Sequence, residues 1–270
     1  MEVPTAELEP GIYRVSDAVR LTEDQLWDEL GDARFVLVGE SHTSQADHAV
    51  QFRVLQALAD RRDVALGMEM FQRPFQAALD AFVAGEIDEA QMLERTEWEE
   101  RWGFGTDLYR PFWTFAREHG LPIVALNARR ELTKRIAAVS IDGLTDEERA
   151  ELPEVDLSSD RYRAWMRGVF ASHGSAMEPQ KFERFFQAQV TWDETMADTA
   201  VRFAQQHPSR TMVLLLGRGH VERDFGVPSR IRRRSNGRVV SIVPVEIEAP
   251  TFEWMRSEQF ADYVWVHPAS

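Results

Sequence analysis

Phe35-Val36-Leu37-Val38-Gly39-Glu40-Ser41-His42 is the stretch on which the reading of this chain turns. Four consecutive apolar residues suit a strand covered on both faces, as in a parallel sheet packed between helices. Glycine then lets the backbone turn sharply, and a glutamate and a histidine stand just beyond the strand's end. Similar apolar runs recur at 64–68, 123–126, 212–216 and 239–243. Amphipathic patterns at 45–62, 74–84, 108–119, 129–140 and 179–207 separate or flank them. This alternation predicts an α/β fold with a mainly parallel central sheet flanked by helices. From about 143 to 177 the chain is charged and has no strand-like run, so residues 143–207 are expected to form a helical insertion or subdomain within a single domain spanning 1–270.

Open α/β sheets bind ligands beyond the carboxyl ends of their strands, so the residue after each run is informative. The first run leads to Glu40 and His42, with Asp47 and His48 further on, the second to Glu69 and the third to Asn127. The fourth leads to Gly217-Arg218-Gly219-His220, so the form Gly-x-x-His appears after two separate strands. Each residue alone has a plainer reading. Glu69 could serve a helix N-terminus, Asn127 could be an N-cap, and either histidine could sit in a loop. Their convergence favours a pocket. On the 179–207 helix, Gln189 and Asp193 lie four residues apart on or beside an apolar stripe; a buried Asp193 would need an Arg, a His or a ligand as partner. His119 and His207 read as structural, His173 and His267 are uninformative, and the basic run Arg230-Ile231-Arg232-Arg233-Arg234 reads as a solvated face, or else as a propionate or phosphate site.

Composition limits the chemistry. The 270 residues carry 31 Lys and Arg against 45 Asp and Glu, a net charge of −14, which argues against a nucleic-acid-binding face. With no cysteine, any metal or iron centre must draw on seven histidines, carboxylates, tyrosines, methionines or the backbone. No apolar stretch approaches the roughly 18 residues of a membrane helix, so no membrane span is expected. The opening residues have neither a basic n-region nor an apolar h-region. A cytoplasmic location is the expectation as written, and a periplasmic or surface-associated one if a leader has been removed.

The chain resembles the ChaN-type haem-binding family of the Tiki superfamily, with TraB and Tiki proteins and erythromycin esterases as more distant relatives. The resemblance rests on Gly39-Glu40-Ser41-His42 with His48; Glu69-Met70-Phe71; Trp102 with Tyr109 and Pro111; Ala125-Leu126-Asn127; Gln189 with Trp192-Asp193-Glu194-Thr195-Met196-Ala197; Gly217-Arg218-Gly219-His220 with Gly226-Val227-Pro228; and Asp262-Tyr263-Val264-Trp265. It implies haem binding, a homodimer, and a role in haem uptake or handling. Tyr and His are the family's haem-contacting groups. Tyr109 and Tyr263 fall in matched segments and are candidate ligands, since a phenolate stabilises ferric iron; His42, His48 and Arg218 are further haem-site candidates. The family's exported members are typically lipoproteins, and this chain has no cysteine to lipidate.

The same residues allow an alternative hydrolase. In its metal-dependent form His42, Glu69 and His220 would bind a divalent ion, Glu40 would act as general base and Arg218 would stabilise developing negative charge. In its metal-free form His42 and Glu69 would be an acid/base pair.

Overall fold

The structure, a computed structural model, describes residues 3–172 and 178–268. His173 and the end of the 143–177 stretch lie outside the described residues. The strands are β1 (Thr5–Glu7), β2 (Gly11–Arg14), β3 (Val19–Leu21), β4 (Phe35–Glu40), β5 (Val64–Gln72), β6 (Ile123–Asn127), β7 (Thr211–Gly217), β8 (Val239–Glu246), β9 (Glu248–Pro250) and β10 (Tyr263–His267). The helices are α1 (Glu23–Glu29), α2 (Gln45–Ala59), α3 (Gln76–Val83), α4 (Glu89–Arg95), α5 (Trp98–Arg101), α6 (Arg110–Glu118), α7 (Arg130–Val139), α8 (Asp146–Ala150), α9 (Asp160–Ser172), α10 (Pro179–Gln206), α11 (Val227–Arg234) and α12 (Phe252–Ser257).

Eight strands form one sheet in the order β3-β2-β10-β8-β4-β7-β5-β6, and β1 pairs with β9 apart from it. From β10 to β6 every pairing is parallel, whereas β2 and β3 join antiparallel at one edge. Every residue of β4, β5 and β7 is buried, as the apolar runs require. Alternate side chains feed two cores. Val36, Val38, Leu66, Met68, Val213 and Leu215 pack on the face that carries α2 and α6. Phe35, Leu37, Ala65, Met212, Leu214 and Leu216 pack on the face that carries α10 and α11. All five expected strands and the five helical patterns are present; the strands run one to four residues longer than the apolar runs and the helices end up to three residues sooner.

Between 143 and 207 the described residues contain α8, α9 and α10 and no strand. Tyr162, Met166 and Phe170 of α9 pack on Phe182, Phe186 and Val190 of α10. Among the described residues, no helix is long and apolar enough to cross a membrane.

The arginine run after β7 is only partly a solvated face: Arg232 and Arg233 are exposed, but the run is also bound to a buried acid. Arg230, Arg233 and Arg234 converge on the fully buried Glu194 of α10, at 3.1, 2.8 and 2.6 Å. They neutralise a carboxylate that burial would otherwise make costly.

Candidate functional site

Two turns build the site. At the end of β4 the chain passes through Ser41–Ser44, where the Ser44 N–H donates to the Ser41 carbonyl at 2.8 Å. The Ser44 hydroxyl then caps α2 by accepting from the Asp47 N–H at 3.2 Å. This leaves Glu40 as the last residue of the strand and His42 just beyond its carboxyl end. After β7, a 3-10 turn over Arg218–His220 holds His220 against Gly226, where a Cβ would lie 2.3 Å from the His220 carbonyl oxygen. Gly217 has a comparable role, since a Cβ there would fall 2.8 Å from Cε1 of His42.

His42 and His220 just past the ends of β4 and β7, Glu69 three residues before the end of β5, and Asn127 at the end of β6 line a single cavity of about 490 Å³. Its walls include Met70, Trp102, Phe185 and Trp192, and Arg101, Arg130 and Lys134 stand around it. That volume lies within the usual range of small-molecule pockets. Asn127 supports the wall: its Nδ2 donates to the Glu69 carbonyl oxygen at 3.0 Å and its Oδ1 accepts from the Ala128 N–H at 2.8 Å.

Each imidazole on the cavity is gripped by a carboxylate. Nδ1 of His42 lies 2.6 Å from Oε1 of Glu40, and the Glu40 side chain is fully buried. Nε2 of His42 has no partner among the described residues, while Trp102 and Phe104 hold the ring by edge and tilted contacts at 4.8 and 5.0 Å. Burial raises the Glu40 pKa above the usual carboxylate value, against the pull of His42. Burial pushes His42 down, but Glu40 and then Glu69 overcome it, and the net shift is upward.

His220 sits between two carboxylates. Its Nδ1 is 2.6 Å from Oδ1 of Asp193, and its Nε2 is 3.4 Å from Oε1 of Glu69. Burial alone would favour the neutral ring; Glu69 and Asp193 outweigh it and raise the pKa to about 10. Glu69 is lowered despite its burial, by the His220 and His42 charges and by the Gly217 N–H, which donates to Oε2 at 2.6 Å. The Tyr162 hydroxyl of α9 donates to Oδ2 of Asp193 at 2.6 Å. Asp193 thus finds the partners its burial demanded, a histidine and a tyrosine. Nε2 of Gln189 lies 3.3 Å from Nδ1 of His220.

Other sequence candidates lie elsewhere. Arg218 is committed to Asp47 Oδ2 at 2.9 Å and to the Pro244 carbonyl at 3.1 Å, away from the cavity lining. His48 is buried with Nε2 3.2 Å from Oε2 of Glu40, too poorly aligned for a hydrogen bond. Burial lowers its pKa to about 4, so its ring is neutral. Tyr109 is fully buried behind His42, its hydroxyl donating to the His42 carbonyl at 3.3 Å; burial and the Glu40 charge raise its pKa and disfavour a phenolate. Tyr263 is not brought to the cavity. It begins β10, where it pairs with Ile242 in the middle of β8, and its hydroxyl donates to Glu29 Oε2 at 2.6 Å.

Sequence reasoning missed Tyr162, which carries no local signal, and the link from His267 to Asp47 at 2.8 Å. His267 ends β10, so it would have joined the strand-end residues had that strand been recognised. It also missed the cations around the cavity.

A family model described as haem-binding uptake, Tiki superfamily, ChaN matches residues 26–231. The chain belongs to this family. Across the whole fold it is similar to the ChaN of Campylobacter jejuni in a structure showing cofacial haem binding, with a TM-score of 0.73 and 19% identity over 97% of this chain and 98% of that one. An erythromycin esterase mutant in its open conformation is similar at a TM-score of 0.51 and 14% identity, over 88% of this chain and 77% of the other. These likenesses establish a shared fold. The curated relative RETICULATA-RELATED 5, a chloroplastic protein of Arabidopsis thaliana, is 23% identical over 93% of this chain. The match covers only 36% of that protein's length.

Proposed function

We propose that this chain binds haem in the strand-end cavity, with Nε2 of His42 as the nitrogen offered to iron. The observation that carries the reading is the state of His42: its Nδ1 is occupied by Glu40 at 2.6 Å, while its Nε2 has no partner among the described residues, and the ring lines the cavity. Ligating histidines usually have this second hydrogen bond to a carboxylate. Trp102, Phe185, Trp192 and Met70 supply apolar surface for a flat macrocycle, and Lys134 and Arg130 supply cations for its carboxylates. Bound haem would bring redox-active iron; the protein's part is to orient that group and exclude water. A place in haem uptake or handling, and pairing of two chains around the ligand, belong to the same proposal. The family description and the cofacial haem of the Campylobacter jejuni relative support both.

Hemin titration tests the reading. Saturable uptake with a shifted Soret band is expected, abolished in His42→Ala, weakened about tenfold in Lys134→Glu through loss of a charge-assisted contact, and retained in Tyr109→Phe and Tyr263→Phe. Absence of saturable uptake, or loss in a tyrosine variant with His42→Ala intact, refutes it.

A second reading has its own support. Two imidazoles, each oriented by a carboxylate at 2.6 Å, face one cavity, an arrangement suited to general acid/base hydrolysis. His42 would activate water and the charged His220 would protonate the leaving group. The hydrogen bonds favour the metal-free form: among the described residues no group of three His, Asp or Glu side chains is disposed to hold a metal ion. Hydrolysis of a chromogenic ester that is lost in both His42→Ala and His220→Gln would establish it. Activity retained in both variants would remove it.

A further inference from the structure

We propose that the cavity takes anionic esters, molecules with an apolar body, one ester bond and a carboxylate, and that Lys134 and Arg130 of α7 hold the carboxylate. This deepens the hydrolase reading above and rests on it. Arg130, Thr133, Lys134 and Ala137 all line the cavity, and their spacing puts them on one face of α7. Phe185, Ala188 and Trp192 line it from α10 with the same kind of spacing. One helix thus offers two cations, and the other offers apolar surface.

Those two cations lack anionic partners. The Arg130 guanidinium donates to the Glu100 carbonyl, a neutral acceptor, and pairs with no carboxylate among the described residues. Lys134 is exposed and makes no hydrogen bond or ion pair among the described residues. The third cation, Arg101, is already paired with Glu97 and Glu131 at 2.7 and 3.0 Å. Oε1 of Gln72 accepts from Arg101 and from the Arg130 N–H, each at 2.9 Å, and so pins the start of α7. The acids at the cavity are, by contrast, satisfied. Glu69 has His220 and the Gly217 N–H, and Asp193 has His220 and the Tyr162 hydroxyl. In a chain of net charge −14, two cations without a carboxylate on one cavity wall favour a ligand that supplies the missing charge.

In the hydrolysis, water bonds to the ester carbonyl carbon and gives a proton to Nε2 of His42. The bond from that carbon to the alkoxy oxygen breaks, and the leaving oxygen takes a proton from His220. Solvent restores both imidazoles, so ester and water become acid and alcohol. The ligand's carboxylate takes no part in this step. It is held equally before and during the reaction, so its contribution belongs in KM rather than kcat.

The test compares the mono-p-nitrophenyl ester of suberic acid with its methyl ester, which keeps the apolar chain and removes the charge. The unmodified chain should give the anionic ester a kcat/KM about tenfold higher, through KM, as one charge-assisted contact provides. Lys134→Glu should erase that ratio, Arg130→Gln should lower it, and Lys134→Arg should keep it. Taking the ratio within each variant cancels any general loss of folding or catalysis. Equal kcat/KM for the two esters in the unmodified chain, or a ratio that Lys134→Glu leaves unchanged, overturns the anion preference while the hydrolase stands. No turnover of either ester by the unmodified chain overturns both.

Discussion

His220 is a basic group buried between two acids, and raising the pH should discharge it. Its pKa in the folded chain is about 10, against an ordinary value of 6.5. For a group raised by folding, the stabilisation is fully present below the unfolded value and is lost as pH climbs through the folded one. The window is therefore pH 6.5 to about 10. The whole gap corresponds to on the order of 5 kcal/mol. Urea unfolding across this window, compared between the native chain and His220→Gln, isolates the contribution. The variant loses stability at every pH, but its curve should be flatter, because the group whose proton binding differs between folded and unfolded states is gone. If the two curves run parallel to within about 1 kcal/mol, His220 is not held as an imidazolium by Glu69 and Asp193.

Removing Glu194 should be among the most damaging surface-distant changes. Glu194→Ala leaves the buried Arg230 facing the similarly charged Arg233 and Arg234 without their shared carboxylate. A loss of about 3–5 kcal/mol is expected in urea unfolding, and a loss below about 1 kcal/mol would show that water reaches the cluster. Tyr162→Phe removes one donor from buried Asp193 and should cost about 1.5–3 kcal/mol by the same measurement; a neutral effect would mean that Asp193 is satisfied by His220 alone. Gly217→Ala places a methyl against the His42 ring. Hemin affinity should fall while the far-ultraviolet circular dichroism stays unchanged, and unaltered affinity would show that the ring can move aside.

The parallel core was legible because residues buried on both faces of a sheet must be apolar at every position, which the run from Phe35 to Val38 displays. The strand-end residues were legible for a topological reason: parallel strands share one carboxyl edge, so His42, Glu69, Asn127 and His220 had to meet if the runs were strands of one sheet. β10 escaped because Tyr263–His267 mixes aromatic, aliphatic and polar residues and carries no glycine-rich signal after it. Tyr263 was therefore read without knowing that it opens a strand of the central sheet. The arginine run from 230 to 234 misled for a related reason. Its partner Glu194 lies on another helix, and four arginines within five residues look the same whether they face water or a buried acid.

The place of β10 also has a consequence for biogenesis. Residues 263–267 lie between β2, at residues 11–14, and β8. During synthesis on a ribosome, the first hairpin has no sheet to join until the last strand has emerged. Pairings between such distant segments form slowly and leave strand edges exposed meanwhile. The cavity, which needs both Glu40 and His220, is equally unavailable to a half-made chain. The proposed ligand could be held only once His220 has joined the sheet, and a chain cut short before Tyr263 would leave the facing edges of β2 and β8 open to pairing with other molecules.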